Sequence, residues 1–529
     1  MGKCTFNSRC VILMICLLAA LSGCNDSGSN SNIADPWKPC PLETGGAGHG
    51  AECRYVSVPL DWEAPEGQSI DLFVKRIAAT GEQRGQIWLL AGGPGAGGDS
   101  MESMVNAVQA LLPGLTVYLL DHRGTMRSSK LTCPQLGDQW KFEFLTYGPV
   151  ELGPCFDYLQ KTWGERIHQF TPTQAARDLG ELIARFRHHD EPVYIFGGSY
   201  GTFWALRYLQ IYPQQPTAVV LDSISAPPLA DTSLYDVNTN NVGMKLLDMC
   251  AQDTECSAKL GFNPRGFAAE VMQQWSAGNH CQSLRSQGVD TPLLKWMLAG
   301  SLMTEATRVD AIAIVHRLSR CEPEDVAALA CNAKLWQKFS YKNFSMPLNV
   351  HIRLSETWPR MPTVEELQAQ EDQLLFSSGA SVALGRIFDI HERILGRYTV
   401  GQYGYSWPDT DVPILILHGE LDSMASYDNA LAAAQVFNGD HQHVVSFPYA
   451  PHGALSQTPS AGRSLPCGAE IAFAFLQDPS APLQTQCLDD LQSVRFSAPA
   501  WYENPQQYSM ERFGTADLWE PGPVNCPYQ

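Results

Sequence analysis

Three residues of this chain stand in settings suited to acyl transfer. Ser199 lies in Gly197-Gly198-Ser199-Tyr200-Gly201, a G-x-S-x-G pattern. An apolar run at 193–196 leads into it and a helix-compatible run at 202–209 leaves it. Strand, tight turn and helix in that order hold a serine on a strained corner, its hydroxyl above a sheet. A hydroxyl is a weak nucleophile at neutral pH and needs a base beside it. His452, followed by Gly453 in a proline-flanked loop, is placed to be that base. Asp422, in Gly419-Glu420-Leu421-Asp422, would orient the imidazole and stabilise its charged form.

The glycine-rich run 91–98 follows an apolar strand at 86–90. Such a loop can aim backbone N–H groups at a developing oxyanion. The expected donors are the N–H groups of Tyr200 and Gly93, with Gly92 as the alternative. A phosphate-binding loop is disfavoured, because neither G-x-x-x-x-G-K-[ST] nor a strict G-x-G-x-x-G is present. Rivals exist for two roles. Asp222 also ends a strand and could be the acid. His122, His418, His441 and His443 compete with His452 for the base.

The elements that must position these groups can be read from periodicity. Residues 54–62 and 70–78 read as a hairpin at a sheet edge, with Gly67 in its turn. Buried strands are expected at 86–90, 115–120, 193–196, 218–222, 413–417 and 443–447. A helix should start near Asp99. Another should run from Thr171 to about Arg187, with Thr171 as cap, Pro172 in the first turn and Gln174 closing a capping box. Asp121-His122-Arg123-Gly124 should stabilise the loop beneath the site. The alternation predicts a mostly parallel sheet flanked by helices. Between 228 and 408 helical patterns dominate, so that stretch reads as an inserted, mainly helical cap. The core would then comprise 37–227 and 409–529.

Composition bounds the rest. The chain has 529 residues, 44% of them hydrophobic, and a formal charge of -19. No basic cluster occurs, so nucleic acid is not an expected partner. Residues 1–24 read as a targeting segment. Lys3 and Arg9 precede a ten-residue apolar run, too short to span a bilayer, and Leu21-Ser22-Gly23-Cys24 resembles a lipobox. The expectation is a lipid-anchored bacterial envelope protein attached through Cys24, with 25–36 as a flexible tether. Of sixteen cysteines, twelve follow Cys24, enough for up to six disulfides in an exported chain. Sequence does not fix the connectivity; local pairs such as Cys40–Cys53, Cys133–Cys155, Cys250–Cys256 and Cys467–Cys487 are the expectation. No CxxC pair occurs, and neither a metal nor a cofactor is called for.

One ordered set of motifs carries a resemblance. Val58-Pro59-Leu60-Asp61-Trp62, Gly92-Gly93-Pro94-Gly95, Asp121-His122-Arg123-Gly124-Thr125, the Ser199 motif, Gly419-Glu420-Leu421-Asp422 and His452-Gly453 stand in series. Together they resemble the exported tripeptidyl aminopeptidase branch of the prolyl aminopeptidase-like α/β-hydrolases. The segment 452–488 is similar to that branch's C-terminal module. The resemblance implies an α/β-hydrolase fold and release of short peptides or residues from a free N-terminus through an acyl-enzyme. It also implies an anion for the substrate ammonium, for which Glu356 is the candidate. A solvated surface glutamate is the alternative for that residue. Three positions depart from the pattern: Ala91 replaces a histidine, Met126 a glycine, and Ser423-Met424 the Thr-Pro after the acid. A small-molecule esterase or amidase on the same scaffold, or a non-catalytic envelope binding protein, are the competing functions.

Overall fold

The computed structural model describes residues 36–43, 50–134, 136, 139–141 and 149–528. The targeting segment, Cys24 and the tether as far as residue 35 lie outside the described residues. Eleven strands are present among them: β1 (Lys38–Cys40), β2 (Ala51–Pro59), β3 (Ser69–Ile77), β4 (Gly85–Leu90), β5 (Leu115–Leu120), β6 (Gln139–Lys141), β7 (Val193–Gly198), β8 (Ala218–Asp222), β9 (Ser340–Lys342), β10 (Ile414–Gly419) and β11 (Gln442–Phe447). Nine build one sheet in the order β1-β2-β3-β5-β4-β7-β8-β10-β11. From β5 to β11 the neighbours are parallel. β1, β2 and β3 are antiparallel additions on the β5 side. The β2–β3 hairpin forms as expected, with its turn closed by Gly67 N–H donating to Ala64 O at 2.9 Å. It is not the edge, because the short β1 pairs outside it.

Strands β4, β5, β8 and β10 of the parallel part are mostly apolar and buried along their length, as a covered parallel sheet requires, while β11 at the edge is half-buried. Successive side chains go to opposite layers. Trp88 and Leu90 of β4 join one core, with Leu179, Ile183 and Leu206 from flanking helices. Ile87 and Leu89 join the other, with Val105, Val108, Ile471 and Phe475. Trp88 stacks on Tyr118 of neighbouring β5 at 4.5 Å between centroids.

Two helices show how local signals were spent. Near Asp99 the chain begins as a 3-10 turn, Gly98–Met104, before the helix Val105–Leu111. The helix Pro172–Phe186 has Thr171 as its cap, its side chain accepting from Gln174 N at 3.1 Å. The reciprocal half of the box is absent. The Gln174 side chain instead accepts from Trp62 N and donates to Asp61 and Gln169, tying this helix to the end of β2.

Between β8 and β10, adjacent parallel strands, the chain makes a helical excursion from Tyr235 to Ile394. It has its own core, including Leu246, Trp275, Met297, Ile314 and Leu329. The chain's end corrects the expected division. Residues 409–529 do not all return to the sheet layers: Val494, Phe496, Tyr508, Phe513, Leu518 and Trp519 complete the helical core. Apolar burial explains the choice, because each sheet face already carries its own layer. Tyr508 and Arg512 both reach Asp310 at 2.5 Å, and Cys331–Cys526 locks the tail in place. Among the described residues six disulfides form, four of them the sequence-local pairs; the other two are Cys281–Cys321 and Cys331–Cys526.

Candidate active site

Ser199 occupies the corner between β7 and the helix Tyr200–Ile211, with φ 56° and ψ -125°. That is left-handed backbone, costly for a residue with a side chain, and it persists because its surroundings over-determine it. Ser199 N–H donates to Asp222 O at 2.9 Å, and Ser199 O accepts from Thr202 N and Oγ1. The flanking glycines are required by contact. A Cβ at Gly197 would sit 2.5 Å from Gly201 O, and one at Gly201 would collide with Leu90 O. Strand, elbow helix and β4 could not close on one another otherwise.

Asp422 and His452 come together 30 residues apart in sequence, at the ends of β10 and β11. His452 Nδ1 lies 3.0 and 2.9 Å from the two Asp422 oxygens. Asp422 Oδ1 also accepts from Met424 N and Ala425 N, at 2.9 and 2.8 Å. A proline at 424 would lack that first N–H, so the departure from the family pattern adds a donor to the acid. Burial would raise the Asp422 carboxyl, but the charge and hydrogen bond of His452 outweigh it and hold it at about 2. Burial pulls the His452 imidazole down, yet the facing Asp422 and, further off, Asp222 leave it above its ordinary 6.5. With Nδ1 turned to a carboxylate acceptor, the Nδ1–H tautomer is fixed and Nε2 is left as the basic nitrogen.

Asp222 does not bond His452. Its Oδ1 accepts from Leu455 N at 3.2 Å, and Ser223 Oγ accepts from Gly453 N at 2.8 Å. Burial pushes the Asp222 carboxyl up to about 7, against the pull of His452. The end of β8 therefore holds both the elbow and the histidine loop. None of the other histidines takes the place of His452, although His418 Nε2 lies 4.0 Å from Asp422 Oδ2. His418 is buried in β10, its Nε2 at 3.2 Å from Ala425 O. His443 lies on β11 and His441 just before it.

Gly92 lies against the serine: a Cβ there would be 3.1 Å from Ser199 Cβ and 3.5 Å from its Oγ. Gly92 O turns inward to Ala96 N at 3.4 Å. In a planar trans peptide the N–H of Gly93 then points the opposite way, out of the turn. Tyr200 N is in the first turn of its helix, where N–H groups have no intrahelical acceptor. One feature was not legible in the sequence. Ser345 N, Asn349 Nδ2 and Arg353 Nη2, along the helix Met346–Glu356 and its cap, donate to Gly95 O, Pro94 O and Gly93 O at 2.8, 2.8 and 3.4 Å. The spacing of four marks a helix face, but no local signal says that this face meets the glycine loop.

The Asp121–Gly124 loop braces the site from below. Arg123 is fully buried, paired through two nitrogens with Asp178 at 2.6 and 2.7 Å, and donates to Leu60 O and Gln169 O. His122 is buried, which lowers its imidazole to about 4 and keeps it neutral. Its Nδ1–H donates to Arg123 O at 2.7 Å, so Nε2 accepts from Tyr200 O–H at 3.1 Å. His122 thus anchors the residue that follows the serine. Glu356 is neither a surface glutamate nor a vacant anion. It is 1% exposed, and its carboxylate is engaged by Arg207 of the elbow helix, at 3.1 Å, and by Tyr398 O–H, at 3.2 Å. A buried guanidinium requires a counter-charge, and Glu356 supplies it. Among the described residues no group of three or more His, Cys, Asp or Glu side chains could hold a metal ion. No described helix is long and apolar enough to cross a membrane.

Residues 87–249 match the family described as alpha/beta hydrolase fold, and the sheet order and crossovers are those of that fold. The tripeptidyl aminopeptidase of Streptomyces coelicolor is 26% identical over 253 residues, covering 42% of this chain and 44% of that protein. A serine protease of Mycobacterium tuberculosis is 25% identical over 231 residues, 38% of this chain and 42% of that protein. The proline iminopeptidase of Aeromonas sobria is 27% identical over 180 residues, 33% of this chain and 38% of that protein. The matched segments thus span less than half the length of these relatives.

Proposed function

We propose that this α/β-hydrolase-fold chain is a serine hydrolase that releases residues or short peptides from the free N-terminus of peptides. Ser199 is the nucleophile, His452 the general base and Asp422 the residue that orients it. The observation that carries the proposal is the His452–Asp422 pair, 2.9 Å apart, held with the strained Ser199 by the same strand end. His452 Nε2 would take the Ser199 proton as Oγ attacks the scissile carbonyl. The N–H groups of Tyr200 and Gly93 would receive the oxyanion. The same imidazole would then protonate the leaving amine, and water would release the acyl group by the reverse sequence. Each backbone donor at an oxyanion is worth about 3 kcal/mol of barrier.

Peptide rather than ester chemistry is favoured by the three peptidase relatives. The six disulfides suit an oxidising, exported setting, and anchorage through Cys24 is part of the proposal. With Glu356 committed to Arg207, recognition of the substrate ammonium falls to other groups.

The test uses the oxidised protein with free and N-acetylated di- and tripeptide anilides and p-nitrophenyl esters, alongside Ser199→Ala. Cleavage of free-amine anilides alone, abolished by the substitution, is the expected result. Equal cleavage of acetylated peptides defeats the exopeptidase assignment. Ester turnover without anilide turnover replaces it with an esterase.

A further inference from the structure

Four arginines among the described residues are buried and each faces a carboxylate; the half-buried Arg353 does not. Arg123 faces Asp178, Arg207 faces Glu356, Arg308 faces Glu305 and Arg317 faces Asp325. Taking a guanidinium out of water is costly, and a carboxylate partner offsets the cost. Arg353 is half-buried on the helix Met346–Glu356. Among the described residues no carboxylate lies within 4.0 Å of it. Among the described residues its guanidinium makes one hydrogen bond, the long one to Gly93 O, and its buried Nε has no partner. The guanidinium carbon lies 5.7 Å from the ring centre of Tyr235. The nearby acid, Asp236, is spent on Ser378 and Ser381.

Its position is as unusual as its lack of a partner. Gly93 follows Gly92, where an added Cβ would lie 3.1 Å from Ser199 Cβ. Tyr235 opens the helix Tyr235–Gln252, whose Asn238 and Thr239 hold the carbonyls of Asp422 and Ser423 at 3.0 Å. Arg353 therefore stands between the oxyanion loop and the helix that carries the acid's loop. Burial lowers its pKa from the ordinary value, but an arginine remains charged at neutral pH. One residue along the loop from Gly92, where an added Cβ would meet Ser199, a half-buried cation contacts Gly93 O and keeps an Nε with no partner among the described residues.

We infer that Arg353 binds a carboxylate of the substrate, so that the enzyme prefers short peptides carrying a negative charge close to the scissile bond. The inference rests on the serine-hydrolase assignment above and names its substrate class. A guanidinium and a carboxylate make paired, charge-assisted hydrogen bonds, roughly twice as strong as neutral ones. Two carboxylates share this chemistry: the free C-terminus of a short peptide and an acidic side chain beside the cleaved bond.

The experiment separates them. Free-amine tripeptides are compared as C-terminal acid against amide, and as glutamate against glutamine next to the cleaved bond. Wild type, Arg353→Lys and Arg353→Met are measured on each pair. The expected result is a preference of about tenfold or more in kcat/KM for the charged member of at least one pair, carried mainly by KM. Arg353→Lys should keep part of the ratio, and Arg353→Met should bring it close to one. No preference in wild type, or a preference that survives Arg353→Met, overturns the inference. So does an equal loss on charged and neutral substrates, which would mean that Arg353 only holds Gly93. Calorimetric titration of Ser199→Ala with the acid and the amide gives a readout independent of turnover. If no peptide is cleaved, the proposed function fails, while tighter binding of the acid, lost in Ser199→Ala/Arg353→Met, still supports the carboxylate site. Equal binding of acid and amide removes it.

Discussion

Ser199 donates its backbone N–H to the carbonyl of Asp222 at 2.9 Å, so the strained elbow hangs from the end of the neighbouring strand. The next residue, Ser223, accepts from Gly453 N in the histidine loop at 2.8 Å. Two consecutive residues thus fix the proposed nucleophile and base relative to one another. Ser223→Ala removes the second tie and leaves a part-buried N–H without its acceptor. We expect a loss of about 1–2 kcal/mol of stability. We also expect kcat to fall roughly 10- to 100-fold with KM little changed, because catalysis is steep in geometry. Thermal unfolding and steady-state kinetics check both.

The pH profile should carry the signature of the His452–Asp422 pair. His452 must be neutral to accept the serine proton. Burial favours that form, but the charge and hydrogen bond of Asp422 favour the imidazolium, and the balance lies above 6.5. kcat/KM should therefore fall as pH drops through a midpoint above 6.5. Asp422→Asn withdraws the charge, so the midpoint moves to lower pH. The same change lowers kcat by about 10⁴, because the imidazole loses its tautomer control. An unmoved midpoint would assign the titration to another group.

Gly92→Ala tests the closeness of loop and serine. The added methyl would stand 3.5 Å from Ser199 Oγ and 3.3 Å from Gly198 O, crowding the space the scissile carbonyl must enter. We expect kcat/KM to fall by about 100-fold, with circular dichroism and the melting profile close to wild type. Full activity would mean that substrate approaches the serine from another side.

The tail is predicted to depend on its disulfide. Cys331 and Cys526 are 195 residues apart, and closing so long a loop restricts the unfolded chain strongly. In the chain-entropy picture the double change to serine costs up to about 5 kcal/mol. Because Phe513 and Trp519 belong to the helical core, limited proteolysis should first attack the released segment after 490. Loss of the sheet before the tail would contradict this order.

The strands and the motif residues were legible because each rests on a local cause. Short continuous apolar runs mark β4, β5, β8 and β10, and glycines mark the corners where backbones touch. Thr171 was legible as a cap, but not the destination of Gln174, whose partners Trp62 and Asp61 lie over a hundred residues away. Glu356 shows the same limit more sharply. Its motif drew attention to a carboxylate near the site, yet only packing reveals that Arg207 already occupies it. Arg353 gave no local sign at all.

The sequence by itself placed the strained G-x-S-x-G corner and the chain order of the candidate serine, acid and base, because chain connectivity and backbone sterics act over a few residues. Tertiary structure alone decided three things. The bonds from Ser345, Asn349 and Arg353 close the helical excursion over the glycine loop. The last residues complete the helical core rather than the sheet layers. Each buried charge finds, or fails to find, its partner. The reason is common to all three: burial free energy and counter-charges are set by which surfaces meet, and residues distant in sequence meet only in the fold.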